Sequence, residues 1–227
     1  QLKVVAHSEL KQWKSAAKAQ QTIVLHYGDQ PTHWRQLVAY HLHAKQDKKA
    51  LATQRLGVER GVLANRDDLL LLSQLLLNQK APYQAAELLQ AAIDNQTLAA
   101  TGKNLRLVSQ AWLAAKEYAR AIAPLKRLYA IEKTAKNLGL LANAQILSNR
   151  WSAAATSLQN GLRGYDAPPA HLVLLLGIAQ LNLKHYQAAQ QSFLRAAADQ
   201  KQKRTAQGWL RYLAQLTDTG VSTGANG

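Results

Sequence analysis

The chain has 227 residues, 48% of them hydrophobic, which is enough to bury a sizeable core and excludes a wholly disordered protein. It has no Cys, hence no disulfide, thiolate metal site or cysteine nucleophile, and its longest apolar run, Leu69 to Leu77, is broken by Ser73 and Gln74 and falls far short of the ~20 residues of a membrane span. A net charge of +15 favours anionic partners, yet basic and acidic residues number 10 and 4 over residues 1–60, 8 and 5 over 61–130, and 10 and 4 over 131–227, so the excess is spread along the chain.

Ala, Leu and Gln dominate while Pro and Phe are scarce, a balance that favours helix over strand throughout. Gln1 to Glu9 read as the tail of a first helix whose beginning is missing, so residues 1–28 form a partial repeat and the array is expected to extend further toward the N-terminus. A start at Gln, the absence of Met and the lack of a charged-then-apolar leader fit a processed protein or an excised fragment. Four consecutive repeats follow. Residues 32–60 place Trp34, Leu37 and Val38 before Asp47, Ala50 and Gly57; residues 67–95 place Leu72, Ser73 and Leu76 before Pro82, Ala85, Leu89 and Ala92. Residues 103–131 place Val108, Ser109 and Trp112 before Tyr118, Ala121, Leu125 and Leu128; residues 136–164 place Leu141 and Ala142 before Trp151, Ala154, Leu158 and Gly161. A fifth, residues 171–198, places Leu176 and Gly177 before Tyr186, Ala189, Phe193 and Ala196. The markers Trp13, Asp47, Pro82, Tyr118, Trp151 and Tyr186 are separated by 34, 35, 36, 33 and 35 residues. Each unit thus reads as two amphipathic helices, with small residues where helices approach and large ones filling the space to the next unit.

"GDQPTHW" and "YDAPPAHL" put Pro or Asp before a first helix, where a missing N–H costs nothing and a side-chain oxygen can cap. Residues 201–216 carry Ala206, Trp209, Leu210 and Leu213 on one face and read as a capping helix over the last repeat. The polar, Gly-rich residues 217–227 read as a flexible tail.

A period near 34 with this spacing resembles the tetratricopeptide repeat (TPR) family. The resemblance implies an all-α fold, a right-handed superhelical solenoid of helix-turn-helix repeats over residues 1–216. The strings "APYQAAELLQAAI", "SQAWLAAKEYARAIAPL", "LLGIAQLNLKHYQAAQQSFLRAA" and "RTAQGWLRYL" are more specifically similar to TPR proteins encoded beside TonB energy-transduction genes in Gram-negative bacteria. That similarity implies a periplasmic accessory protein of a TonB-dependent uptake complex, with TonB-complex components as partners.

In such arrays the first helices line the concave face. Positions one and five residues after the first large apolar residue are Arg35 and Ala39, Leu70 and Gln74, Arg106 and Gln110, Gly139 and Asn143, and Leu174 and Ile178. Amides there pair with a peptide backbone, Leu and Ile accept its side chains, and Arg106 can take a carboxylate by two parallel bonds. Family members that clamp a C-terminal carboxylate use paired Lys and Asn; Arg106, Gln110 and Asn143, with Lys103 and Lys136 nearby, approach that pattern without completing it.

No catalytic or cofactor-binding arrangement emerges: there is no G-x-S-x-G, no phosphate-cradling Gly loop and no paired acid and base. His33, His41 and His43 lack ligand spacing and read as solvated helix residues, and Asp67 and Asp68 read as macrodipole partners at a helix start. Trp13, Trp34, Trp112 and Trp151 fall on repeat-defining positions and Trp209 on the cap's apolar side, which disfavours stacking on single-stranded nucleic acid. Lys45, Lys48 and Lys49 form one basic cluster and Lys201, Lys203 and Arg204 another, either solvated turns or contacts to lipid or an acidic partner. The expected function is therefore a non-enzymatic scaffold for a protein or extended peptide. The alternatives are a basic solenoid that binds nucleic acid, with a cytoplasmic address, and peripheral attachment to an anionic membrane or envelope surface.

Overall fold

The computed structural model describes residues 2–222, and every regular element among them is a helix. In chain order these are α1 (Leu2–Glu9), α2 (Trp13–His26), α3 (Pro31–His43), α4 (Asp47–Glu59), α5 (Arg66–Asn78), α6 (Pro82–Asp94), α7 (Gly102–Ala114), α8 (Tyr118–Ile131), α9 (Ala135–Leu147), α10 (Trp151–Leu162), α11 (Ala170–Asn182), α12 (Tyr186–Ala197) and α13 (Gln200–Ser222). Within each pair, a first helix turns tightly into a second. The chain divides into two compact units, residues 1–115 and residues 116–227. None of the described helices is long and apolar enough to cross a membrane.

The period in the sequence is the period of the turns. Lys11, Lys45, Lys80, Lys116, Asn149 and Lys184 all have φ between 54° and 61°, one between each first and second helix. The backbone closes around them in the same way. The Gln46 N–H donates to the His41 carbonyl at 2.8 Å, and Ala81 to Leu76, Arg150 to Gln145 and His185 to Gln180 repeat the bond at 2.7–2.9 Å. These are Schellman closures, which satisfy carbonyls a helix end otherwise leaves without donors. The next helix starts two residues later, at the large or turn-forming residues that mark the period.

Packing repeats on the same interval. Ala16, Ala50, Ala85, Ala121, Ala154 and Ala189 are all fully buried, one per second helix, where any larger side chain would push a neighbouring helix away. One turn further on, Leu89, Leu125, Leu158 and Phe193 are equally buried, each worth about 1.5–3 kcal/mol on removal from water. In the first two repeats that position holds Gln20 and Gln54 instead. Their amides donate to the His33 carbonyl at 3.1 Å and the Asp68 carbonyl at 2.9 Å, tying each second helix to the start of the next first helix.

Phe193 is larger than the leucines it replaces, and α11 makes room for it with Gly177. A Cβ on Gly177 would lie 2.5 Å from the Phe193 ring. Trp209 of α13 stacks on the other side of that ring, with centroids 5.9 Å apart and planes 12° from parallel. Ala206 and Leu213 complete the contact of α13 with this core, as expected of a cap.

Several local expectations need correction. Asp29 and the residues before α11 do not cap: α3 and α11 follow Gln30 and Pro169 without a side-chain bond. The capping chemistry lies in between, where Asn65, Thr101 and Thr134 accept the backbone N–H of Asp68, Asn104 and Asn137. Helix α13 runs through Ser222 rather than ending at 216: no Pro or Gly interrupts the chain from 209 to 219, and the Thr217 hydroxyl donates back to the Leu213 and Ala214 carbonyls within that stretch. Residues 223–227 of the expected tail lie outside the described residues. His41 is buried, not solvated, with Nδ1 2.9 Å from Gln46 Oε1.

Candidate peptide-binding face

In residues 1–115 the candidate residues come from α3, α5 and α7. Arg35, Gln74, Lys103 and Gln110 are exposed, while Leu70 and Arg106 are half-buried. Arg35 does not present a bare guanidinium. Its Nε and Nη2 each donate to Asp68, to Oδ1 and Oδ2, at 2.9 Å, so the fork spans from α3 to α5. Asp68 is almost fully buried, and its Oδ2 also receives the Asn65 N–H at 3.4 Å. This corrects the reading of Asp68 as a simple macrodipole partner: it closes a capping box and anchors the neighbouring repeat. The hydrogen bond to Asp68 raises the Arg35 pKa further, against a smaller opposing effect of burial. Gln74 is partly committed as well, its amide donating to Asn78 Oδ1 at 2.9 Å one turn along the helix.

In residues 116–227 the candidates come from α9 and α11. Lys136 and Asn143 are exposed on α9. Gly139, between them, is buried against α11, where a Cβ would meet Leu172 at 3.3 Å. Leu174 is only 7% exposed and belongs to the core with Val173, Leu181 and Phe193, and Ile178 is half-buried against the same core. Leu174 is therefore withdrawn from the accessible face. The cause is that α11 is apolar almost all round, so its pattern has no period that separates an inner side from an outer one.

Two clefts in the second unit were not anticipated. One, about 720 Å³, has Tyr186, Lys184 and Asn182 on one side and Trp209, Tyr212 and Leu216 on the other. The aromatic spacing in "GWLRYLAQL" is its trace in the sequence. The other, about 690 Å³, is lined by Tyr129, Lys133, Ser157, Asn160 and Tyr165, with Leu141 and Gly161 as apolar wall. Burial, with Tyr165 nearby, pushes the Tyr129 phenol above its ordinary pKa. Beside this cleft Gln145 is fully buried and donates to Ser157 at 3.1 Å. Among the described residues no three His, Cys, Asp or Glu side chains are grouped so as to hold a metal ion.

No protein-family profile matches the chain, and no curated protein matches it in sequence. Solved structures do match its fold. A chain of the Naa15/Naa10 complex bound to HypK-THB aligns over 95% of this chain at TM-score 0.67 and 17% identity. This chain spans 34% of that one's length. YrrB, described as a TPR protein with an unusual peptide-binding site, aligns over 86% of this chain and 100% of its own at TM-score 0.59 and 11% identity. The fold is a TPR-like helical repeat. MamA from Desulfovibrio magneticus RS-1 has it too, over 66% of this chain and 84% of its own, at TM-score 0.54 and 14% identity.

Proposed function

We propose that this TPR-like array is a non-enzymatic scaffold that binds a protein or an extended peptide on the exposed side of its first helices. The observation that carries the reading is the recurrence of exposed amides, Gln74, Gln110 and Asn143, at one register of successive first helices. Lys103 and Lys136 stand exposed seven residues before Gln110 and Asn143. An amide can both donate to and accept from a peptide backbone, and each lysine adds a cation for an acidic side chain or a terminal carboxylate. The peptide-binding site described for YrrB supports testing a peptide first.

The resemblance to repeat proteins encoded beside TonB genes supplies the partners to test, TonB-complex components, and a periplasmic address. The test is a photo-crosslinking residue at Lys103 of the full chain, which the variant below leaves in place, expressed in a Gram-negative host, with captured proteins identified by mass spectrometry. Capture of TonB-complex or outer-membrane transporter components, lost on Gln74→Ala, Gln110→Ala and Asn143→Ala together with helicity retained, supports the face and the address. Undiminished capture by that triple variant removes the face, and capture of ribosomal or nucleoid proteins replaces the periplasmic reading with a cytoplasmic one.

A further inference from the structure

The turn between first and second helix needs a residue with positive φ, and glycine meets that need at least steric cost, with asparagine next. The chain uses asparagine once, at Asn149, and lysine at the other five such turns. Asn149 shows that this closure forms without a charge. A lysine at a helix C-terminus does favour the macrodipole, but the preference extends beyond the turn residue itself.

In residues 1–115, successive helices reverse direction, so the turns at Lys11, Lys45 and Lys80 lie along one edge of the unit. Lys14, Lys48 and Lys49 open the helices that leave the first two of these turns, and all six lysines are exposed. Only Glu9 and Asp47 oppose them at the same helix ends. On the opposite edge there is no such excess: Asp29, Glu59, Asp67, Asp68 and Asp94 are balanced by Lys3, Arg60, Arg66, Lys103 and Arg35, the last bonded to Asp68. The unit is therefore electrically polar across its helices, a pattern that an even spread of charge along the sequence conceals.

Aromatic residues accompany the cations. Trp13 follows Lys11 by two residues and stacks on His43, with centroids 4.6 Å apart, bridging the first two turns. Tyr83 follows Lys80 by three residues and is 39% exposed, its ring set edge-on to Trp112 at 5.6 Å. Because these rings already pack on neighbouring rings of the protein, they are poorly placed to stack nucleotide bases. A partly exposed Tyr83 and a half-buried Trp13 beside lysines are instead suited to the headgroup layer of a bilayer.

We propose that this edge is a docking surface for an anionic lipid bilayer, with Lys11, Lys45 and Lys80 meeting headgroup phosphates and Lys14, Lys48 and Lys49 adding to the field. The test is co-sedimentation of the full chain with vesicles of phosphatidylcholine and phosphatidylglycerol, and with vesicles of phosphatidylcholine alone. Lys11→Asn, Lys45→Asn and Lys80→Asn together keep the residue type that already makes the turn at Asn149. At about fivefold per lysine near a charged surface, that variant should lose about a hundredfold in apparent affinity with unchanged circular dichroism. Lys3→Asn, Lys126→Asn and Lys133→Asn remove the same charge elsewhere and should cost less than about fivefold. Lys14→Gln, Lys48→Gln and Lys49→Gln test the edge without touching the turns and should also lose about a hundredfold. Equal losses in the edge and control variants, or equal binding to phosphatidylcholine alone, would overturn the proposal. So would edge variants that keep vesicle binding and lose only the binding of duplex DNA, which would transfer the edge to nucleic acid.

Discussion

Arg35 grips Asp68 across the gap between α3 and α5 through two N–H···O bonds of 2.9 Å, with the arginine side chain 43% exposed and the carboxylate 4%. The asymmetry decides what the pair is worth. A fully exposed pair contributes little, whereas hydrogen bonds to a buried carboxylate contribute more, because removing the donor leaves the acceptor inside. Arg35→Ala should cost about 1–2 kcal/mol, a range lowered for the arginine's exposure, and Arg35→Lys should recover less than half of it because an ammonium lacks the fork. Chemical denaturation of both variants checks this. Asp68 raises the guanidinium pKa, so the stability linked to the arginine's proton is fully present below the arginine's ordinary titration and is lost as pH rises through the raised value. Alkaline conditions short of that should leave the difference between wild type and Arg35→Ala unchanged.

Gly177 and Phe193 form a matched pair in which the missing side chain of one is filled by the ring of the other. Gly177→Ala gains helix propensity of about 1 kcal/mol but places a methyl 2.5 Å from a ring that is itself pinned by Trp209. Overpacking should win, with a net loss of about 1–3 kcal/mol. Phe193→Leu restores the residue type of the preceding repeats at that position, so Gly177→Ala with Phe193→Leu should be more stable than the sum of the two single losses. Additive losses in thermal unfolding would show that the close approach is not what selects glycine.

The half-buried Tyr129 should titrate late. Its phenol is raised by burial and by Tyr165, so the folded state keeps its proton where the unfolded chain releases it. The stability linked to this proton is complete below the ordinary tyrosine range and is lost as pH climbs through the raised value. Absorbance titration of the folded protein should show a late-ionising tyrosine that disappears in Tyr129→Phe, and that variant should lose less stability than wild type on going to strongly alkaline pH.

The legible parts of this molecule are those fixed by spacing. The interval from Trp13 to Tyr186 carried the turns, the buried alanines and the Leu-or-Phe positions, because each repeat has to solve the same packing problem. Long-range pairing was not legible. Arg35 and Asp68 are 33 residues apart, and nothing about either residue alone says that one repeat's arginine meets the next repeat's carboxylate. Leu174 was misplaced because an all-apolar helix carries no inner or outer side in its pattern, whereas Gln74, Gln110 and Asn143, polar among apolar neighbours, are exposed. His41 was misread for the converse reason: a polar residue can be buried when a local partner, here Gln46, is supplied by the turn.

Gln54 offers the sharpest test of how far one repeat can stand in for another. It occupies the position held by Leu89, Leu125, Leu158 and Phe193 in later repeats, is fully buried, and donates to the Asp68 carbonyl at 2.9 Å while its own Oε1 has no partner. Its bond therefore contributes about 1 kcal/mol, but an unpaired buried acceptor costs about the same or more. Gln54→Leu removes both at nearly constant volume and leaves only the Asp68 carbonyl to be satisfied, so it should change stability by less than about 1 kcal/mol. Gln54→Ala also loses the bond and adds a cavity beneath α5, and should cost about 2–4 kcal/mol. If denaturant unfolding shows Gln54→Leu to be as damaging as Gln54→Ala, the amide's link to the start of α5 matters more than the volume it fills. The Arg35–Asp68 fork, which depends on where α5 begins, would then be expected to weaken with it, leaving Arg35→Ala with almost no further effect in the Gln54→Leu background.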